Sequence, residues 1–296
     1  MNMWLVGAGY WGSKMLANLQ KFEVNPQIID IKNGQTIDQI NDRSPVMLAT
    51  PLWEHYDQCR YLLKRGHDVY VEKPMAETVD QIRELKSLLK PGQVFMVGHI
   101  FQHHPQRDEI KTIIETGFIG DVVHVTSRRL NWGIYQTKTD PVLSLGTHDI
   151  SIILDITKQS AVVDHSQCFH TTQGTQPDRV TWSGRSGNIT FDCDVSWAWP
   201  VRVRETMIIG TQGQIVWDQD TNTYTVSKHR VENNRCFLDD DPRTVNYTSA
   251  LSPLEHEIQH WIECVRTRQQ PSTGIDQALA VALVIDQINL SHRNDQ

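Results

Sequence analysis

The chain has 296 residues, 39% hydrophobic and 21% charged, with a formal net charge of −7. That length carries two domains and a sizeable core, and the balance is that of a folded globular protein rather than a disordered one. The negative charge supplies no basic field for nucleic acid or an anionic membrane, and no apolar run approaches the ~20 residues of a membrane span.

Five cysteines, scattered and without a Cys-x-x-Cys pair, fit reduced, packed thiols better than a disulfide framework or a zinc site. With no basic leader ahead of the first apolar run, a cytoplasmic protein without a metal centre is expected.

In chain order, the apolar run Met3–Val6 leads into Gly7-Ala-Gly9-Tyr10-Trp11-Gly12, and residues 13–19 read as a helix. Strand, Gly-x-Gly-x-x-Gly turn and helix form the order that a dinucleotide pyrophosphate requires. Gly7 permits the turn, Gly9 admits the phosphates and Gly12 lets helix and strand pack closely. Residues 27–31 are a second strand ending near Asp30, about 20 residues past the turn. A carboxylate there can accept from the adenosine ribose hydroxyls and repels a 2′-phosphate, which favours NAD over NADP; alternatively Asp30 caps the strand. Lys32 weakens the preference for NAD.

Residues 36–40 supply one or two helical turns, and Val46–Ala49 is a third strand. An amphipathic helix spans 53–65 and is closed by Gly66. Asp68–Val71 is a fourth strand, running into Glu72-Lys73-Pro74. Thr78 and Gln81 form a capping box for the next helix. A fifth strand, Gln93–Val97, precedes Gly98-His99, and a helix through Ile110 and Ile114 ends at Gly117. Alternating strands and helices predict a doubly wound parallel sheet over residues 1–120.

Beyond Gly120 the pattern becomes one of successive strands: 121–128, 161–163, 180–182, 189–195, 203–209, 215–217 and 223–226, with a helix over 143–158. Residues 121–296 are expected to form an α+β substrate and oligomerisation domain on an open, mainly antiparallel sheet. One helix-free face predicts a homodimer or homotetramer joined sheet to sheet. Trp182, Trp197, Trp199 and Trp217 read as a buried layer or subunit interface before a ligand box. Residues 232–252, with Asp239-Asp240-Asp241-Pro242, read as a polar loop. Two helices, 253–267 and 275–290, finish the chain, the last expected to pack back on the first domain.

Chemistry in a doubly wound sheet belongs outside the carboxyl ends of the strands. Ala49-Thr50-Pro51, Glu72-Lys73-Pro74 and Gly98-His99 all stand there. The Lys73 ammonium can hydrogen-bond a substrate hydroxyl and favour alkoxide-like charge during hydride loss. In Ser144-Leu-Gly-Thr-His148-Asp149, His148 can exchange the hydroxyl proton. Arg128, Arg129, Asn131 and Trp132 leave the first strand of the second domain, where Arg can hold a carboxylate or phosphate and Trp can stack on a sugar; the two Arg equally suit a strand end at the surface.

The ordered set Gly7–Gly12, Ala49-Thr50-Pro51 with His55, Glu72-Lys73-Pro74, Val97-Gly98-His99 and Gly146-Thr-His148-Asp149-Ile150 resembles the glucose–fructose oxidoreductase/inositol dehydrogenase/MocA (Gfo/Idh/MocA) family of NAD(P)-dependent oxidoreductases. The resemblance implies a catalytic Lys73, an acid–base His148, and cofactor-pocket roles for Thr50, Pro51, His55 and Glu72. It also implies a cis Lys73–Pro74 bond and a sugar, sugar-acid or nucleotide-sugar substrate with a ring CH–OH. Ser144 departs from the family's Asp, so Asp140 or Asp149 is left to assist His148. The linker between strands two and three is short for the family. The alternatives are a non-catalytic dinucleotide-binding regulator of the same fold, or a reductase of another small carbonyl or unsaturated substrate.

Overall fold

The computed structural model of the chain describes residues 1–238 and 241–294; Asp239 and Asp240 of the expected polar loop lie outside the described residues. The chain divides into two compact units, one of Met1–His103 with Leu251–Ala282, the other of His104–Ala250 with the residues from Leu283 onward.

The first unit is built on β1 (Trp4–Val6), β2 (Gln27–Ile29), β3 (Val46–Leu48), β4 (Val69–Glu72) and β5 (Phe95–Gly98), paired in parallel in the order β2-β1-β3-β4-β5. Both faces are covered, so successive side chains enter opposite cores. Val6, Leu48, Val71 and Val97 meet α2 (Leu52–Arg65), α3 (Val79–Leu88) and the first turns of a C-terminal helix through Ile275 and Ala278. Leu5, Met47, Tyr70 and Met96 meet α1 (Tyr10–Lys21) and the helix Pro253–Thr267.

That last helix was expected in the second domain. Its stripe Leu254, Ile258, Trp261 and Val265 recurs every three or four residues and is buried against the parallel sheet, which places it in the first unit. Thr78 and Gln81 form the expected capping box of α3, and Gly66 closes α2 at φ +87°. The linker from β2 to β3 holds two 3-10 turns, Ile31–Asn33 and Ile37–Gln39.

The second unit opens with α4 (Pro105–Glu115) and a long strand, β6 (Val122–Trp132). A π-helical turn, Val142–Gly146, leads into α5 (Thr147–Thr157). The strands β7 (Ala161–Phe169), β8 (Arg179–Ser186), β9 (Ile189–Ser196), β10 (Ala198–Gly210), β11 (Gly213–Asp218) and β12 (Thr223–Glu232) complete a mixed sheet, antiparallel except where β6 pairs with β9. Two further strands, β13 (Arg235–Leu238) and β14 (Arg243–Asn246), pair with β12 inside the stretch expected to be a loop. Both are short and mostly exposed, so no buried alternating face marks them as strands in the sequence.

Trp182, Trp197 and Trp217 are buried, as a packed layer requires, while Trp199 is half-buried with the Arg179 guanidinium 4.6 Å from its ring. The helices that follow are α6 (Pro253–Thr267) and α7 (Ile275–Asn294). Among the described residues no helix is long and apolar enough to cross a membrane.

Candidate active site

After β1 the chain turns through Gly7 at φ +94°, a conformation open to glycine. A Cβ at Gly12 would lie 1.9 Å from the Gly7 carbonyl oxygen, so the start of α1 packs directly on the turn. Gly9 is different: it is the N-cap of α1, and nothing lies within 4 Å of where its Cβ would stand. No side chain caps the helix and no acidic residue occupies its first turn. Uncapped N–H groups facing open space are what an anionic pyrophosphate needs, so these residues fit a dinucleotide.

Tyr10 is 79% exposed, with the Lys14 ammonium 4.4 Å from its ring centroid. Asp30 accepts from the Lys32 N–H at 3.0 Å through Oδ1, capping the 3-10 turn that follows β2. Capping engages one oxygen and leaves Oδ2 for a ribose hydroxyl, so both readings of Asp30 are compatible.

At the carboxyl end of β4, the buried Glu72 Oε1 accepts from the Trp11 indole and, at 3.0 Å, from the Tyr70 hydroxyl. A Cβ at Gly98 would come within 2.5 Å of that hydroxyl, so a glycine on β5 leaves room for the network. Burial raises the Glu72 pKa against the Trp11 hydrogen bond and the Lys73 charge. Glu257 of α6 is also fully buried; desolvation, then the Glu72 charge, push its carboxyl well above the usual range.

Lys73 follows, half-buried, in a cis bond to Pro74. His55 on α2 ties this turn to the one after β3: its Nδ1 is 2.8 Å from the Pro74 carbonyl oxygen and its Nε2 2.8 Å from that of Thr50. Burial, above all, lowers the His55 pKa. Pro51 starts α2, and the Thr50 hydroxyl donates to Gln58 Oε1 at 2.6 Å. His99 is buried and held down to about 3 by desolvation and then by the Lys73 charge, which keeps its imidazole neutral. Thus Thr50, His55, Glu72, Lys73 and His99 gather at one edge of the parallel sheet. Tyr70, Gln58 and Glu257 were missed; only Tyr70 carried a signal, as a hydroxyl on a strand buried on both faces.

In the second unit the half-buried His148 lies in the first turn of α5, just past the π-helical turn; such turns recur at functional sites. Ser144 Oγ accepts from the Trp197 indole at 2.9 Å, and Asp140 Oδ1 accepts from the Leu143 N–H at 2.8 Å. Trp197 in turn meets the Tyr135 ring edge-on, 5.6 Å between centroids.

Two substrate assignments need correction. Arg129 and Asp149 are 2% and 0% exposed in their side chains and form a buried ion pair, with Arg129 Nε 3.0 Å from Asp149 Oδ2. Ser127 Oγ donates to the same carboxylate, and Arg129 Nη2 donates to Gln219. Asp149 therefore fastens α5 to the sheet; its carboxylate is committed to Arg129 and neither residue faces a substrate. Strand alternation sends Arg128 to the opposite, exposed face, away from α5. Asn131 returns to the α5 side, where its Oδ1 accepts from Arg204; Trp132 is 74% exposed.

Residues 13–99 match the model of an oxidoreductase family with an NAD-binding Rossmann fold. A 2,7-anhydro-N-acetylneuraminate hydratase of Mediterraneibacter gnavus is 28% identical over 211 residues, covering 62% of this chain and 52% of that protein. The chain thus spans about half the length, or less, of the curated relatives it matches first.

Among solved structures, levoglucosan dehydrogenase in complex with NADH and levoglucosan superposes with a TM-score of 0.83 at 18% identity, covering 100% of this chain and 98% of that one. A UDP-N-acetylglucosamine 3-dehydrogenase of Acidithiobacillus ferrooxidans gives 0.80 at 16% identity over 98% and 97%. These likenesses show the fold. Residues 13–99 thus match the NAD-binding Rossmann domain of the Gfo/Idh/MocA oxidoreductase family.

Proposed function

We propose that this protein is an NAD-dependent oxidoreductase acting on a ring CH–OH or C=O of a sugar or sugar acid. The observation that carries this reading is Lys73, half-buried beside His55, Glu72 and His99 at the carboxyl edge of an NAD-binding sheet. NAD, when bound, supplies the hydride acceptor. The Gly7–Gly12 turn binds its pyrophosphate, and Asp30 accepts from its ribose. Because burial holds His55 and His99 neutral, the cationic donor at this edge is Lys73, which polarises the substrate oxygen and stabilises developing alkoxide charge. His148 exchanges the hydroxyl proton. Asp149 is committed to Arg129 and is therefore not the carboxylate that assists His148.

The relative from M. gnavus is named a hydratase, and hydration leaves the substrate's oxidation level unchanged. It favours a second reading, in which a hydride taken from the sugar is returned to it and no NADH accumulates. Both readings are tested by absorbance of reduced nicotinamide over a panel of sugars and sugar acids, in steady state and in single turnover. Lys73→Met and His148→Asn are each expected to lose about two orders of magnitude or more in kcat with NAD affinity retained. Near-wild-type kcat in both variants rejects the assigned roles.

A further inference from the structure

We propose that Arg204 on β10 reads a carboxylate of the sugar substrate, as a specificity residue of the second unit. This rests on the reading that the substrate lies beside His148.

Arg204 stands directly across from Arg129 in the β10–β6 pair, so both side chains are on the face that α5 covers. Ser144, four residues before His148, and Asp149, next after it, are held by Trp197 and Arg129. Trp197 accepts the Gly133 N–H through its carbonyl, and Asn131 lies between Gly133 and Arg129 on the chain. Arg204 Nη2 donates to Asn131, so the guanidinium sits among the contacts that position the start of α5.

Arg204 differs from its neighbours in charge balance. Arg129 is neutralised by Asp149 and Arg202 by Asp220, whereas Arg204 forms no ion pair among the described residues. Its Nη1 is buried without a hydrogen-bond partner, although the residue as a whole is only half-buried. Desolvation and the nearby Arg129 charge bring its pKa down to about 10, still cationic at neutral pH. A charged donor left unpaired is costly, and an arriving anion recovers that cost. One uncompensated positive charge matches a single carboxylate. The diphosphate of a nucleotide-sugar would ask for a second free cation, and the adjacent Arg residues are already paired.

The test is calorimetric titration of the NAD-loaded protein with glucuronate, galacturonate and N-acetylneuraminate, each beside its methyl ester, and with UDP-N-acetylglucosamine. At least one acid is expected to bind about tenfold or more tighter than its ester, the value of a charged hydrogen bond. Arg204→Gln should remove that preference while leaving ester affinity unchanged, and Arg204→Lys should keep part of it, which also guards against a folding defect in the Gln variant. No binding by any acid, equal binding of acid and ester, a preference that survives Arg204→Gln, or tighter Arg204-dependent binding of the nucleotide-sugar overturns the proposal. An intact acid preference without reduced nicotinamide in steady state or single turnover would instead overturn the hydride chemistry and leave the role of Arg204 standing.

Discussion

Asp149 shows how closely chemistry and architecture adjoin at single residues. It neighbours His148 in the chain, yet its carboxylate is spent on Arg129, Ser127 and the anchoring of α5. Removing one partner leaves a buried charge uncompensated, so Asp149→Ala should lower unfolding stability by about 3–5 kcal/mol, measured by denaturant titration. A loss below about 1 kcal/mol would mean that the pair is solvated.

Glu257 gives a pH-dependent expectation. Its folded pKa is raised, so the folded chain keeps a proton that the unfolded chain releases above about 4.3. The stability this protonation contributes is full below that value and is lost as pH rises toward the folded pKa. Glu257→Gln should therefore gain on the wild type as pH rises through that window; parallel stability curves would contradict it. In the sequence, the Arg128-Arg129 pair read as the surface end of a strand, but β6 runs on to Trp132, and which of the two turned inward depended on where α5 came to rest. Neither the Arg129–Asp149 pair nor the unpaired Arg204 could be read without strand pairing.

At the scale of elements, the glycine turn separates two requirements that one motif conceals. Gly12 is confined by backbone, while Gly9 faces open space. Gly9→Ala should fold normally and weaken NAD binding by about tenfold or more, since its methyl enters the phosphate space. Gly12→Ala should lower thermal stability as well, because the Gly7 carbonyl must move. Equal effects of the two substitutions on stability would refute this division.

The capping box at Thr78, the Gly66 stop and the alternation in the second sheet were legible because each is set by local chemistry. The strands β13 and β14 were not, since nothing in two short, mostly exposed runs signals pairing with β12. Helix α6 showed its apolar stripe plainly, but a stripe does not say which sheet it covers.

Over the whole molecule, the residues of the proposal fall in both units along the chain: the glycine turn, Asp30 and Lys73 in the first, and His148, the Arg129–Asp149 pair and Arg204 in the second. The second sheet turns a polar face away from α5, carrying the His124–Asp192 and Arg179–Asp194 pairs. The homo-oligomer expected through that face is tested by sedimentation at micromolar concentration, where a dimer or tetramer is expected and a monomer rejects it.

The central claim is that Lys73 and NAD act together on a sugar carbinol. Its most direct test is rapid mixing of the NAD-loaded protein with sugars and sugar acids deuterated at the ring carbinols, followed by mass analysis of the nicotinamide. Deuterium reaching the nicotinamide ring in wild type, and absent in Lys73→Met that still binds NAD, is the predicted result. Conversion of a sugar with no deuterium ever entering the cofactor would contradict it.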